Sequence, residues 1–323
     1  METSQNKAPS CYNFLKKGLL LPSRNPRLFT AVCALFLAYT APLHLANDLA
    51  IQPLNDAIQL DIQALNTTEP GSLEYSQLVQ EIKNDAKELL LVGAGYLLFA
   101  VVVGSAVRII VLFAAVCTYS DDQGTTTFGA LLGQAKARIK GPLLTLAFVY
   151  VLEILLYALL LVVTTAAFPI MVLLVKQHSV ALLFVALLPI VAAAVCLVYF
   201  SFLCSFSVVV AVAEPGCHGA AALSQAWRLV KGTRRQVVMY LSATSVLAIA
   251  VSPVHTLANT CAGNSVAIGL LLDFAYALLL ALVQLFALCA MTAFYYERRE
   301  IIHTHQLGAT GYAKIPSTEE ATA

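Results

Sequence analysis

Six long apolar segments, separated by polar connections, dominate the pattern of this chain. A helix needs roughly 20 apolar residues to cross a bilayer, and each segment is about that long or longer. The predicted spans are residues 28–46, 89–118, 142–175, 180–213, 237–255 and 265–296. The pattern therefore predicts an all-α fold, a polytopic membrane protein with a six-helix transmembrane bundle built from three hairpins.

Two of the polar connections resemble each other. Residues 128–141 align without a gap on residues 219–232, and six of the aligned positions are identical. The spacing predicts an amphipathic helix in each copy. The predicted apolar faces are Phe128, Leu131, Leu132, Ala135 and Ile139 in the first copy, and Leu223, Ala226, Trp227 and Val230 in the second.

Both copies end in the same dipeptide, Lys140-Gly141 and Lys231-Gly232. A lysine suits the negative end of a helix, and a glycine permits a left-handed cap. A fainter third version, with Tyr12, Leu15 and Leu19 as its face, precedes the first span. These helices either lie in the inner leaflet and sense the membrane or bind a partner, or they are only elbows between spans.

Composition excludes a soluble domain, since 59% of the residues are hydrophobic and only 11% are charged. The net charge of +1 gives no reason to expect a nucleic-acid partner. The lipid bilayer is the partner that the composition predicts.

The positions of the cations predict the orientation. Of the 19 Lys and Arg residues, 15 lie in the N-terminal segment, the second–third connection, the fourth–fifth connection and the tail. The positive-inside rule then places residues 1–27 and 297–323 in the cytoplasm, the latter as a disordered tail. The expected location is the endomembrane system or the plasma membrane.

Residues 51–88 form the first external loop in this arrangement. The loop holds seven of the 18 acidic residues and the sequon at Asn66, which is a glycosylation acceptor only in the lumen. Apolar residues recur at helical spacing on both sides of Glu69-Pro70-Gly71, and Ser72 is placed to cap the returning helix. The loop is therefore predicted to be a helical hairpin with Asn66 near its tip.

Several short motifs carry a resemblance to known families. They are the run 210–230 with Glu214, Gly216 and Trp227, the residues 25–29 before the first span, and the residues 115–119. This pattern resembles a family of uncharacterised plant six-span transmembrane proteins. It is similar also to the membrane domain attached to some bacterial glycerophosphodiester phosphodiesterases. The resemblance implies a six-helix membrane protein with no established activity to transfer. The phosphodiesterase catalytic domain is not in the sequence, so the chemistry of that enzyme is not implied.

Four polar side chains inside the apolar segments are the candidate functional groups: Arg108, Glu153, Asp273 and Gln284. A charge at mid-membrane costs about 2.5–3.5 kcal/mol on insertion scales, so each invites a functional hypothesis. Arg108 and Glu153 lie at matching depth on consecutive spans, which predicts an ion pair. The four groups form either an ion-coupled pathway or, in the case of the pair, a purely structural link.

Known catalytic motifs are not found in the sequence, so no enzyme activity, catalytic residue or cofactor is predicted. His44 and Asp48 lie one turn apart at the end of a span, but without further ligands nearby, and no metal site is expected. Ala100 and Gly104 form a small-residue face of the kind that packs helices closely, which suggests a homo-oligomer.

The tail contains Tyr312-Ala-Lys-Ile315, which has the form by which adaptor proteins select membrane cargo. Together these features favour a membrane-organising, trafficking or scaffold protein. The alternative is a small-solute or ion-coupled transporter that uses Arg108, Glu153 and Asp273.

Overall fold

The computed structural model describes residues 12–120, 127–176, 180–262 and 265–311, and for a few residues in these ranges it describes the backbone alone. Within these ranges the chain is almost entirely α-helical and contains no strand. The helices are α1 (Asn13–Arg24), α2 (Pro26–Ala46), α3 (Gln52–Thr67), α4 (Leu73–Ser120), α5 (Phe128–Arg138), α6 (Lys140–Lys176), α7 (Val180–Ala213), α8 (Ala220–Val230), α9 (Arg234–Ala262) and α10 (Val266–Gly311). A π-helical segment, Asn47–Ile51, joins α2 to α3.

Six of the described helices are long and apolar enough to cross a membrane: α2, α4, α6, α7, α9 and α10. The predicted all-α six-span fold is thus confirmed, and the chain is a multi-pass membrane protein. We call the end of the bundle that carries α3 and the start of α4 the hairpin end. The end that carries α1, α5 and α8 is the elbow end.

The hairpin of α3 and α4 forms as the sequence predicts. Gly71 adopts a φ of 100°, which a residue with a side chain rarely takes, and so turns the chain after α3. The Ser72 hydroxyl accepts a hydrogen bond of 3.0 Å from the Tyr75 amide and caps α4. α4 then continues without a break from this cap through the second span to Ser120.

The core lies toward the elbow end, where α4, α7 and α10 meet. Phe206 packs against Phe294 and Tyr295, with ring centroids 5.4 and 6.3 Å apart. The Tyr295 hydroxyl donates a 2.7 Å hydrogen bond to the Glu214 carboxylate and so links α10 to the end of α7. Elsewhere the outward faces of the spans are apolar and exposed, as at Leu155 and Ile249, which suits contact with lipid.

α1 packs into this core, but through a different face from the predicted one. Phe14, Gly18 and Leu21 are buried, whereas Tyr12 and Leu19 are exposed and Leu15 is only partly covered. The buried face differs from the predicted one because it is centred on Gly18, a small residue that hydrophobic spacing does not mark. Gly18 lies so close to α10 that a Cβ there would be 2.5 Å from the Ala290 Cα.

The two repeated connections also pack into the bundle. Leu131 and Ala135 of α5 are buried, and so are the aligned Ala222 and Ala226 of α8. Phe128 and Leu223 pack at the edge of the core. Two residues of the predicted faces, Leu132 and Trp227, are 40% and 53% exposed and so do not pack into the core.

The two Lys-Gly dipeptides have different roles. Gly232 has a φ of 88° and ends α8 with the left-handed residue that the sequence predicts. Gly141 is not a cap, since it lies inside α6, where a Cβ would overlap the ring of His218. Glycine at position 141 therefore allows close packing against His218, and the expectation of a left-handed cap is wrong at this position.

α10 is longer than the predicted sixth span. The helix continues from the membrane segment through Gly311, held at the elbow end by Arg298, whose Nε donates a 3.3 Å hydrogen bond to the Leu229 carbonyl. The prediction of disorder is therefore wrong for residues 297–311.

Candidate functional site

A groove of about 670 Å³ lies between α7 and α9 near the elbow end. We call it the α7–α9 groove. Its main lining residues are Val195, Val198 and Tyr199 of α7, Trp227 of α8, and Arg234 and Val238 of α9. Almost every group in the lining is an apolar side chain, and Arg234 is the one charged residue there.

The local fold of α8 puts Trp227 at the groove. α8 runs back alongside α7, so the Trp227 ring reaches Tyr199, with centroids 6.3 Å apart and planes at 84°. Because Ala226 and Val230 face the core, Trp227 is left on the outer side of α8. An indole in this half-exposed position is typical of a membrane–water interface.

The connection from α8 to α9 brings the cation to the same place. After Gly232 turns the chain, the Thr233 carbonyl accepts hydrogen bonds from the amides of Gln236 and Val237, at 3.0 and 3.1 Å, and α9 begins. Arg234 in the first turn of α9 lines the groove. Four exposed cations surround this connection: Arg228, Lys231, Arg234 and Arg235.

The arrangement fits an amphiphile with an anionic head. The apolar walls suit acyl chains, and the cations near Trp227 suit a phosphate. Basic pockets between transmembrane helices bind anionic lipid headgroups in this way. Lys140 has a comparable setting on a smaller scale, since with Arg138 and His218 it lines a cavity of about 290 Å³.

Arg108 and Glu153 lie on neighbouring helices but do not form the predicted ion pair. The ion pairs found among the described residues do not include these two side chains. The Glu153 carboxylate instead accepts a 3.3 Å hydrogen bond from Ser201 of α7.

Asp273 and Gln284 do not join Arg108 and Glu153. Tyr240 of α9, which lies near Arg108, donates a 3.3 Å hydrogen bond from its hydroxyl to the Ala287 carbonyl of α10. Asp273 lies about 14 residues away on α10, or roughly 21 Å at the helical rise. Gln284 lies on the exposed face of α10, and the four predicted groups therefore form no continuous path in the described part of the chain.

Asp273 lies instead in a cluster at the hairpin end. Its carboxylate is 3.9 Å from the Nδ1 of His255 on α9, and Asp48 of the π-helical segment lies beside both. The expectation that His44 and Asp48 have no further ligands nearby is therefore wrong. Sequence reasoning missed His255, although one signal was present: His255 and Asp273 are almost equally distant from the turn between α9 and α10.

Ala100 and Gly104 are used within one chain. The Tyr39 hydroxyl of α2 donates a 3.1 Å hydrogen bond to the Ala100 carbonyl, and a Cβ at Gly104 would overlap the same hydroxyl. The small-residue spacing is thus explained by the packing of α2 on α4. Asn66 is exposed near the end of α3, while Tyr312 and Ile315 lie outside the described residues.

These observations define the class of the protein, a helical multi-pass membrane protein with an apolar groove near one end of the bundle. The chain belongs to the family described as a domain of unknown function, DUF8558, whose model matches residues 3–305. No curated protein and no solved structure matches the chain.

Proposed function

We propose that this protein is a membrane-organising component that binds anionic phospholipid in the α7–α9 groove. The observation that carries the proposal is the combination of an apolar groove of about 670 Å³ with Arg234 and Trp227 in its lining. A bound lipid would place its acyl chains along α7 and α9 and its phosphate near Arg234.

The surrounding charge supports an anionic over a zwitterionic lipid. Arg228, Lys231 and Arg235 add to Arg234, and all four are exposed, so none is neutralised by burial against the bundle. A cation near an anionic membrane surface contributes about 1 kcal/mol, which corresponds to roughly a fivefold preference. Several such cations together would enrich anionic lipid around the protein.

The proposal includes an orientation. The elbow end carries most of the cations, so the positive-inside rule places this end, and with it both termini, in the cytoplasm. The cytoplasmic leaflet of the endomembrane system and of the plasma membrane contains the anionic lipids that such a groove would bind. The tail motif at Tyr312 would support a trafficking role, since adaptor proteins would bind it on the cytoplasmic side.

Native mass spectrometry of the purified full chain tests the lipid preference. The protein is exchanged into detergent with equal amounts of phosphatidylserine and phosphatidylcholine, and the lipid adducts are counted. We expect phosphatidylserine adducts to exceed phosphatidylcholine adducts about fivefold or more, as the charge estimate requires.

Two variants locate the binding. Arg234→Gln removes the cation that lines the groove and should reduce the preference several-fold. Lys136→Gln removes an exposed cation of α5 at the same end, away from the groove, and should leave the preference unchanged. Equal loss in both variants would mean that net charge alone attracts the lipid, and the groove would then have no special role.

Ion-coupled transport is the second candidate function. It is favoured by one observation, that Arg108 and Glu153 lie inside spans without a direct ion pair between them. Uptake of ions or small solutes by vesicles containing the purified protein, lost on Glu153→Gln, would support it. Uptake no greater than in empty vesicles would rule out transport as the function.

A further inference from the structure

Three side chains with metal-ligating groups converge at the hairpin end. Asp48, His255 and Asp273 each offer one ligand atom, and these atoms lie within 4.8 Å of one another. They come from three different elements, the π-helical segment, α9 and α10. We call these three residues the His–Asp cluster.

Direct hydrogen bonding does not satisfy the cluster. The Nδ1 of His255 and the Oδ1 of Asp273 are both buried, yet neither has a hydrogen-bond partner, and the 3.9 Å between them is too long for one. A buried polar atom without a partner loses the free energy of its contacts with water. A ligand bound between the two atoms would restore those contacts.

Neighbouring groups hold the cluster in place. The Asn47 side chain donates a 3.1 Å hydrogen bond to an Asp48 carboxylate oxygen. The His255 ring stacks on the Tyr276 ring at a centroid distance of 4.9 Å. The His44 ring packs edge-on against the same Tyr276 ring at 5.0 Å. The π-helical segment has the wider turn that often marks functional positions in helices, and it places Asp48 toward α9.

We propose that the His–Asp cluster binds a divalent transition-metal ion through His255, Asp48 and Asp273. One imidazole and two carboxylates form the mixed nitrogen–oxygen set that suits Zn²⁺ or Mn²⁺. Two metal–ligand bonds of about 2.0–2.2 Å can span the 3.9 Å between His255 and Asp273, and a tetrahedral angle at the metal would bring the two atoms somewhat closer together. The ion would tie α9 and α10 to the end of α2, independently of lipid in the α7–α9 groove.

Titration of the purified full chain with ZnCl₂ tests this site. Calorimetry should show saturable binding of one Zn²⁺ per chain that an excess of Ca²⁺ does not displace, since imidazole is a poor calcium ligand. His255→Gln and Asp273→Asn should each weaken binding at least tenfold. Asp56→Asn, which neutralises an exposed carboxylate of α3 at the same end, should leave the affinity unchanged.

The chain also contains eight cysteines, and a cobalt spectrum separates them from the cluster. Co²⁺ bound by His255 and the carboxylates should give ligand-field absorption without a thiolate charge-transfer band. This measurement needs only the wild-type protein, so it tests for cysteine ligands even if a variant does not fold. A thiolate band, the absence of saturable binding, or an equal loss of affinity in Asp56→Asn would each overturn the proposal.

Discussion

Glu153 and Ser201 show how a single carboxylate is accommodated inside the membrane segment. An ionised group there costs about 2.5–3.5 kcal/mol on insertion scales, so its partners decide whether the site is tolerated. The partner that contacts the carboxylate is the Ser201 hydroxyl at 3.3 Å, and Arg108 is not within ion-pair distance of it. The serine is therefore expected to matter to stability, although the sequence singles out only the arginine.

Replacement of Ser201 by alanine tests this arrangement. A hydrogen bond to a charged group contributes about 1.5 kcal/mol or more, so Ser201→Ala should lower the midpoint of thermal unfolding in detergent by a few degrees. Ser242→Ala is the matched control, because that hydroxyl bonds only to the Met239 carbonyl of its own helix on an exposed face. If Ser201→Ala unfolds like the wild type while Arg108→Gln is destabilised, a direct pair with Arg108 governs Glu153 instead.

Cys217 lies outside the spans, in the turn between α7 and α8, and its pKa can be used to test the local packing. Burial raises the pKa of the Cys217 thiol above its ordinary value, and the nearby Glu214 charge raises it further. The thiolate that reacts with electrophiles is therefore scarcer at neutral pH than for a free cysteine. The rate of maleimide labelling, followed on the Cys217 peptide by mass spectrometry with Cys217→Ser as the blank, should keep rising above pH 8.5. A plateau below that pH would contradict the packing of this turn.

At the scale of the elements, the docking of α1 on α10 depends on the missing side chain at Gly18. A methyl group there would meet backbone atoms of Ala290, which cannot rotate away. Overpacking of this kind costs about 1–3 kcal/mol, so Gly18→Ala should destabilise the protein in thermal or denaturant unfolding. Gly129→Ala on α5 points into open space and should be neutral or slightly stabilising, as alanine favours helix over glycine. Equal stability of the two variants would show that α1 is not held at this position.

The same elements show what the sequence can predict and where it fails. Length and apolarity are sufficient for six spans, and Gly71 and Ser72 mark the α3–α4 turn through their local chemistry. The face of α1 was mispredicted because hydrophobic spacing gives no weight to a small residue such as Gly18. His255 was missed because its partners come from two other helices, and only the packed bundle brings them together. The resemblance of residues 210–230 to plant membrane proteins stays a prediction. Within this segment, Glu214 accepts a hydrogen bond from Tyr295 and Gly216 adopts a left-handed backbone conformation, so both residues have a structural role.

At the scale of the whole molecule, the orientation can be tested at Asn66. This residue is exposed near the tip of the α3–α4 hairpin, on the end that the proposed orientation places in the lumen. In a eukaryotic expression system we expect a glycan that endoglycosidase removes and that Asn66→Gln abolishes. A sequon introduced into the connection between α4 and α5, which the proposed orientation assigns to the cytoplasm, should stay unmodified. The reverse pattern would invert the orientation and place the α7–α9 groove in the other leaflet.

Occupation of the α7–α9 groove by anionic lipid can be measured through Trp227, the only tryptophan in the chain. The purified protein is placed in bilayers that contain the same fraction of either brominated phosphatidylserine or brominated phosphatidylcholine. Bromine atoms on the acyl chains quench the fluorescence of an indole that they contact. We expect stronger quenching by the brominated phosphatidylserine, with the difference lost in Arg234→Gln and kept in Lys136→Gln. Equal quenching by the two lipids in the wild-type protein would contradict it.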